Sequence, residues 1–139
     1  MAKVKDVMTP DPVQLPSSAT TAEAAKQMAE RNIGAILVHD GSKLCGVVTD
    51  RDITVRTVAK GLDPKSVKLS DICSGSPVTV SPDEDVEKVI ALMREKAIRR
   101  VPVVDRGQHP VGILSLGDLA SDRDPRSVLG QISSAPPTH

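Results

Sequence analysis

Two short segments of the chain each carry a hydroxyl and a carboxylate three residues apart. Thr49 and Asp52 lie in the first, Ser115 and Asp118 lie in the second, and in both a glycine and two aliphatic residues come before the hydroxyl. The aliphatic pair predicts the end of a buried strand, and Ser or Thr followed by an acidic residue predicts the start of a helix. Such a corner can accept hydrogen bonds from a diol, and the free N–H groups of the first turn can face an anion. The alternative is that both corners are helix caps and bind nothing.

The composition limits the possible partners. The chain has 139 residues, equal numbers of basic and acidic residues (18 each), and no Phe, Tyr or Trp. A formal charge of zero provides no strong electrostatic footprint for nucleic acid, and the aromatic platforms on which single-stranded bases stack are missing. We therefore expect no nucleic-acid partner. The length suits one ordinary domain, or two small intertwined halves, with a core that needs neither disulfides nor metal.

The cysteines and histidines form no ligand or catalytic pattern in the sequence. Cys45 and Cys73 lack metal-ligand spacing, and we expect them to behave as small buried hydrophobic residues in a reducing compartment. His39 and His109 lie at or near turns without other ligands around them, so no metal site is expected. No segment resembles a signal peptide or reaches the length of a membrane span. We therefore expect a cytoplasmic protein without a membrane partner.

Hydrophobic periodicity predicts the elements that must position the first corner. Thr20 and Glu23 form a capping-box pair at the start of an amphipathic helix, and Asp40-Gly41 is a hairpin signal. The predicted elements of the first half are a proline-rich turn at Thr9–Pro12, an extended segment at Val13–Leu15, a helix from Thr20 to about Asn32, strands at Ala35–Val38 and Leu44–Val48, and a helix from Thr49 to Gly61.

The same order of elements restarts at an offset of 65 residues, which becomes 66 after the second hairpin. Asp85 takes the place of Thr20 as a helix cap, Val101–Asp105 matches the middle strand, and Ser115 with Asp118 matches the first corner. Such a repeat decides the architecture. We predict residues 1–61 as the first repeat, 62–68 as a connector, 69–122 as the second repeat, and 123–139 as a short final helix with a flexible tail. The predicted fold class is α+β, with two β-α-β-β-α repeats packed through small sheets about a pseudo-two-fold axis.

With these motifs in order, twice over, the chain resembles a tandem pair of CBS domains, the module named after cystathionine β-synthase. The resemblance covers about Val4 to Asp122, and the overall layout resembles that of small stand-alone bacterial members. Its further motifs are Asp71-Ile72, Pro77-Val78 and the Arg99–Asp105 segment RRVPVVD. None of these motifs is specific alone, whereas their repeated order is.

The resemblance implies an adenosine-type ligand such as AMP, ADP, ATP or S-adenosylmethionine in clefts between the repeats. In the family, the hydroxyl and the acidic residue of the late motif hold the ribose. The implied ribose residues are Thr49, Asp52, Ser115 and Asp118. The implied adenine pocket is made of Val13, Ile33, Gly34, Ala35, Val78 and Ile98. The implied phosphate-binding residues are Arg99, Arg100 and Arg51. For Arg51 the alternative of equal weight is a solvated residue in the first helical turn.

The function implied is that of a regulatory module that binds an adenine nucleotide and signals to a partner protein. No nucleophile is matched with a base in the sequence, so we expect no enzyme activity and no required cofactor. Two alternatives remain: a nucleotide-free protein-interaction module, in which Arg99 and Arg100 form salt bridges, and a weak metal-dependent nucleotide hydrolase. The two sites are expected to be unequal, because Gly34-Ala35 corresponds to Arg99-Arg100. The resemblance also implies a homodimer.

Overall fold

The computed structural model describes residues 2–73 and 77–123. Within these ranges the elements follow in the order α1 (Val4–Val7), β1 (Thr9–Pro10), β2 (Gln14–Pro16), α2 (Thr21–Arg31), β3 (Ala35–Asp40), β4 (Lys43–Thr49), α3 (Asp50–Ile53), a π-helical turn (Thr54–Val58), α4 (Leu69–Ile72), α5 (Val86–Lys96), β5 (Arg100–Val104), β6 (Pro110–Ser115) and α6 (Leu116–Arg123). The predicted α+β class and the two small sheets are confirmed. The predicted final helix and tail after residue 123 lie outside the described residues.

The chain divides into two compact units. The continuous unit is Val13–Pro77, and the composite unit combines Met1–Pro12 with Val78–His139. Each unit therefore contains the core of one sequence repeat and the first residues of the other repeat. We call these first residues the lead segments, 1–12 for the first repeat and 69–77 for the second. The predicted repeats at 1–61 and 69–122 therefore do not coincide with the compact units, because each lead segment belongs to the unit of the other repeat.

The continuous unit holds a three-stranded sheet in the order β2-β3-β4. β2 runs parallel to β3, and β3 and β4 form the predicted antiparallel hairpin, with Gly41 at a φ of 63° in its turn. Buried residues of α2, β3 and β4 pack with α4, which the chain reaches after the connector. The end of the connector is fixed to α2, because Thr21 N–H donates to the carbonyl of Val67 at 2.9 Å.

The composite unit repeats this plan with the other lead segment. Its sheet has the order β1-β6-β5 and is antiparallel, and Val80 adds a parallel bridge to Val103 where β2 pairs with β3 in the continuous unit. The N–H of Val86 donates to the carbonyl of Ala2 at 3.0 Å, which matches the bond between Thr21 and Val67 at the repeat offset. The core of this unit includes Val4, from the first helix of the chain.

The helix ends largely follow the sequence signals. Thr20 and Glu23 form the predicted capping box of α2, and Asn32 ends that helix in the left-handed conformation with a φ of 53°. Asp85 lies at the N-cap position of α5, as predicted, but its side chain forms no cap. Its carboxylate instead accepts a hydrogen bond from Lys3 Nζ at 2.7 Å, because the lead segment brings this ammonium next to it.

One lead segment differs from the prediction. Thr9–Pro12 is predicted as a proline-rich turn, whereas Thr9 and Pro10 form the short strand β1, paired with Ile113 and Gly112 of β6. The turn itself is displaced to Asp11, which has a φ of 51°. A pairing between residues about a hundred positions apart leaves no local pattern in the sequence, so turn propensity dominated the prediction. Among the described residues, no helix is both long and apolar enough to cross a bilayer.

Candidate functional site

The first predicted corner is a reciprocal capping box in the continuous unit. Thr49 ends β4, its Oγ1 accepts a hydrogen bond from Asp52 N–H at 3.1 Å, and Asp52 Oδ2 accepts from Thr49 N–H at 2.9 Å. The box locks the orientation of the Asp52 carboxylate. Within residues 2–73 and 77–123, no donor reaches its second oxygen, Oδ1, so this oxygen keeps its capacity to accept hydrogen bonds.

The second predicted corner has the same box in the composite unit. Ser115 Oγ accepts from Asp118 N–H at 3.1 Å, and Asp118 Oδ2 accepts from Ser115 N–H at 3.0 Å. Here the second carboxylate oxygen is engaged as well, because Thr9 Oγ1 donates to Asp118 Oδ1 at 3.2 Å. The two corners therefore share the same capping box and differ in the hydrogen bonding of the second carboxylate oxygen, Oδ1.

Thr9 is the residue that sequence reasoning missed. It reaches Asp118 because β1 pairs with β6, with Thr9 opposite Ile113. A signal was present in the sequence: Ser74, another hydroxyl residue, occupies the matching position of the second repeat. Ser74 lies outside the described residues.

The two dipeptides that differ between the repeats, Gly34-Ala35 and Arg99-Arg100, lie directly beside the corners. Ala35 pairs with Thr49, and Arg100 pairs with Ser115, in the antiparallel hairpins. The first residue of each following helix is hydrogen-bonded to the same dipeptide. Asp50 N–H donates to the carbonyl of Gly34 at 3.1 Å, and Leu116 N–H donates to the carbonyl of Arg99 at 2.9 Å. One corner thus has a small, uncharged neighbour, and the other has two guanidinium groups on adjacent residues.

The predicted phosphate-binding arginines are exposed. Arg51, in the first turn of α3, and Arg99 and Arg100, at the start of β5, all present their side chains to solvent. In the part of the chain that the structure describes, none of the three forms an ion pair. Among the described residues, Arg99 and Arg100 therefore have none of the salt-bridge partners that the nucleotide-free alternative assigns to them.

The predicted adenine-pocket residues are aliphatic side chains at the margins of the two cores. Val13 and Ile33 are partly buried against the core of the continuous unit, while Val78 and Ile98 are partly buried against that of the composite unit. Ile33 and Ile98 have matching positions, because the N–H of each donates to the carbonyl of the methionine five residues earlier in the preceding helix. Partly exposed aliphatic groups next to a strand end offer an apolar surface to a flat ring.

An open groove of about 380 Å³ lies elsewhere in the composite unit. It is lined by Ser81–Asp83 and by Asp105–Gly107. The second segment directly follows β5, at the opposite end of that strand from Arg100. The Asp105 carboxylate accepts hydrogen bonds from the N–H groups of His109 and Gly107, and these bonds, that of His109 first, hold its pKa below the usual range. None of the predicted ligand residues lines this groove. The described residues contain no cluster of three or more His, Cys, Asp or Glu side chains suited to a metal ion.

Comparison with known proteins identifies the family. The model of the CBS domain matches residues 4–57 and again residues 69–123. The CBS domain-containing protein YhcV of Bacillus subtilis is 41% identical over 120 residues, which cover 86% of this chain and 84% of YhcV. This chain belongs to the CBS domain family, as the tandem repeat predicted.

Two solved structures are informative neighbours. The CBS domain pair of protein MJ0100, in complex with 5′-methylthioadenosine and S-adenosyl-L-methionine, matches with a TM-score of 0.80 and 28% identity over 91% of this chain and 99% of that one. The hexameric CBS-CP12 protein from bloom-forming cyanobacteria matches with a TM-score of 0.80 and 33% identity over 90% of this chain and 73% of that one. CBS pairs of this fold thus include adenosine-compound binders and oligomers.

Proposed function

We propose that this protein is a regulatory module that binds an adenine nucleotide, or S-adenosylmethionine, and reports it to a partner protein. The observation that carries the proposal is the pair of capping-box corners. Each holds an oriented carboxylate at the position where the family binds ribose, and a neighbour of the same fold binds two adenosine compounds. A carboxylate that accepts from ribose hydroxyls makes a charge-assisted contact, stronger than a neutral hydrogen bond.

The composite unit offers the more complete set of contacts for a nucleotide. Asp118 would accept from the ribose, and Arg99 and Arg100 would bind phosphate with their forked donors. The continuous unit offers Asp52 beside Gly34 and Ala35, with Arg51 as its nearest basic residue in the sequence. We infer that the composite unit prefers phosphorylated ligands and that the continuous unit tolerates an uncharged 5′ group.

Isothermal titration calorimetry with AMP, ADP, ATP and S-adenosylmethionine, each added alone, tests this assignment. Removing one charge-assisted contact costs about 1.5–3 kcal/mol, so Asp118→Asn and Asp52→Asn should each weaken binding at their own site by about 10- to 150-fold. Matched controls are Asp6→Asn and Asp71→Asn. Both carboxylates accept from a backbone N–H three residues earlier, as Asp118 and Asp52 do, but lie outside the predicted ribose sites. Controls that lose as much affinity would contradict the ribose assignment.

The phosphate assignment has a separate test. Arg99→Gln and Arg100→Gln should weaken binding of AMP and ATP but leave binding of 5′-methylthioadenosine, which has no phosphate, unchanged. Arg106→Gln is the control, since Arg106 is exposed in the hairpin turn of the same unit. If none of the four ligands gives a heat signal, the nucleotide-free interaction module becomes the better interpretation.

We further propose that the module signals without catalysis. A ligand shifts a conformational equilibrium only if it binds one conformation more tightly, so no bond of the nucleotide needs to break. Incubation of ATP and Mg²⁺ with the protein should therefore release no phosphate above a protein-free blank. Release that disappears in Asp118→Asn would instead support the hydrolase.

Self-association belongs to the same proposal. Val55, Val58 and Leu62 are 45%, 60% and 46% exposed in and just after the π-helical turn. Val55 and Val58 lie three positions apart and are therefore neighbours on the helix surface. Exposed aliphatic groups of this kind can form a contact surface, and we infer a homodimer that uses them. Sedimentation velocity should give the mass of a dimer for the parent and of a monomer for Val58→Asp. A monomeric parent would overturn the inference.

A further inference from the structure

The two cysteines, 28 positions apart in the sequence, belong to neighbouring elements of the continuous unit. Cys45 lies in β4, and Cys73 is the residue that ends α4, where its N–H donates to Leu69 O at 2.8 Å. α4 packs against β4, and both cysteine side chains are partly buried against the same hydrophobic core. Both cysteines are of intermediate burial, neither fully buried nor fully exposed.

Cys45 has an unusual place in its strand. Val38 pairs with Gly46, but the next residue, His39, pairs with Leu44, so Cys45 is the extra residue of a β-bulge. A bulge redirects the side chain of its extra residue and leaves that residue unpaired in the ladder. The side chain of Cys45 therefore departs from the regular alternation of the strand.

The composite unit shows what packs against such a bulge. There Val103 pairs with Gly112 and Val104 pairs with Pro110, which makes Val111 the extra residue at the position equivalent to Cys45. Met8 ends α1 as Cys73 ends α4, and its Sδ lies so near Gly112 that a Cβ on that glycine would come within 2.5 Å of it. The repeat therefore predicts that Cys73, the counterpart of Met8, lies beside Gly46 and next to Cys45.

Electrostatics agree with this proximity. The pKa of the Cys73 thiol is raised to about 11, first by burial, and then by the neighbouring thiol of Cys45 and the carboxylate of Asp52. Arg56 opposes the shift. The contribution of Cys45 to this shift agrees with the packing of α4 against β4.

We propose that Cys45 and Cys73 are a thiol pair that a small disulfide, such as oxidised glutathione, converts to an intramolecular disulfide. The Cys45 thiolate attacks the small disulfide, forms a mixed disulfide and releases one glutathione thiolate. The Cys73 thiol gives up its proton and its sulfur attacks Cys45 Sγ, which releases the second glutathione as a thiol. Two protein thiols are oxidised and one glutathione disulfide is reduced to two thiols, so the electrons balance. The new bond ties the end of α4 to the bulge of β4.

The test is treatment of the native protein with oxidised glutathione, followed by acid quenching and mass spectrometry. The expected product has lost two hydrogen atoms and carries no glutathione, and trypsin then yields one cross-linked species made of residues 44–51 and 69–88. Dithiothreitol should reverse the change, and the far-UV circular dichroism of the oxidised protein should remain native. Cys73→Ala should stop at one glutathione adduct on Cys45, and Cys45→Ala, whose remaining thiol is kept protonated by burial, should react slowly and form no internal disulfide.

Three outcomes would overturn the proposal. The first is glutathione adducts on both cysteines of the parent without an internal cross-link. The second is a disulfide between two chains. The third is a cross-link that forms only with loss of the native spectrum, which would mean that the folded geometry keeps the sulfur atoms apart. These measurements use no nucleotide, so they stand apart from the proposed function.

Discussion

Thr57 is the position where one substitution should make the protein more stable. Its side chain is fully buried, at 0% exposure, and no donor or acceptor in the described part of the chain reaches its Oγ1. Its backbone carbonyl accepts a hydrogen bond from Leu62 N–H at 3.1 Å. A buried hydroxyl without a partner costs about 1–3 kcal/mol, since it gives up its hydrogen bonds to water.

Thr57→Val replaces the hydroxyl with a methyl group of similar shape. Thr and Val have nearly equal helix propensities, so the main change is the removal of the unsatisfied hydroxyl. We expect the free energy of unfolding to rise by about 1–2 kcal/mol, and Tm to rise by about 3–10 °C for a chain of this length. Because the chain has no Tyr or Trp, unfolding in urea should be followed by far-UV circular dichroism, with an unchanged m value as the check.

Thr21→Val is the matched control. Thr21 is also 0% exposed and also lies in the continuous unit, but its Oγ1 donates to the carbonyl of Pro64 at 3.0 Å. The same substitution there removes a hydrogen bond and should lower the free energy of unfolding by about 1–2 kcal/mol. The opposite signs are the prediction. If Thr57→Val destabilises the protein as Thr21→Val does, the Thr57 hydroxyl has a partner and the reasoning is refuted.

Three further predictions concern single contacts. Thr20→Ala removes the side-chain cap of α2 and should lower the free energy of unfolding by about 1 kcal/mol in the same urea assay, whereas the exposed Ser18→Ala should leave it unchanged. Lys3→Met breaks the 2.7 Å ion pair with Asp85, whose side chain is 39% exposed, and should leave the urea midpoint nearly unchanged; a loss as large as that of Thr20→Ala would contradict the view that solvent screens this pair. Carboxymethylation of Cys73 should be slow at pH 7 and should rise toward a midpoint near pH 11, because burial keeps the thiol protonated; peptide-resolved mass spectrometry that shows a plateau by pH 9 would contradict this.

The repeat and its corners were predictable from the sequence because they depend on local chemistry. A hydroxyl three residues before a carboxylate forms its capping box within one helical turn, so Thr49 and Ser115 could be assigned without any knowledge of the fold. The hairpin before each corner was equally local, since Asp40-Gly41 supplies the turn and the aliphatic runs supply the strands.

Contacts across long stretches of sequence were not predictable in this way. The strand formed by Thr9 and Pro10, its hydrogen bond to Asp118, and the ion pair between Lys3 and Asp85 all depend on which unit receives the lead segment. Nothing in a window of ten or twenty residues encodes that choice. The repeat offset could have given part of it, because Thr9 and Ser74 carry hydroxyls at matching positions.

The end of the first repeat shows a second limit, where hydropathy and geometry disagree. Thr57 lies four residues after the buried Ile53, so it faces the core, whereas the more apolar Val55 and Val58 point away and are exposed. A pattern based on hydrophobicity would bury the valines and expose the threonine. The inversion is explained if the valines face another molecule. On that account Val58→Asp should disrupt association without the loss of stability that a buried charge would cause, while Thr57→Val should raise stability without affecting association. If both substitutions changed stability and left the sedimenting mass unchanged, the exposed valines would need another explanation.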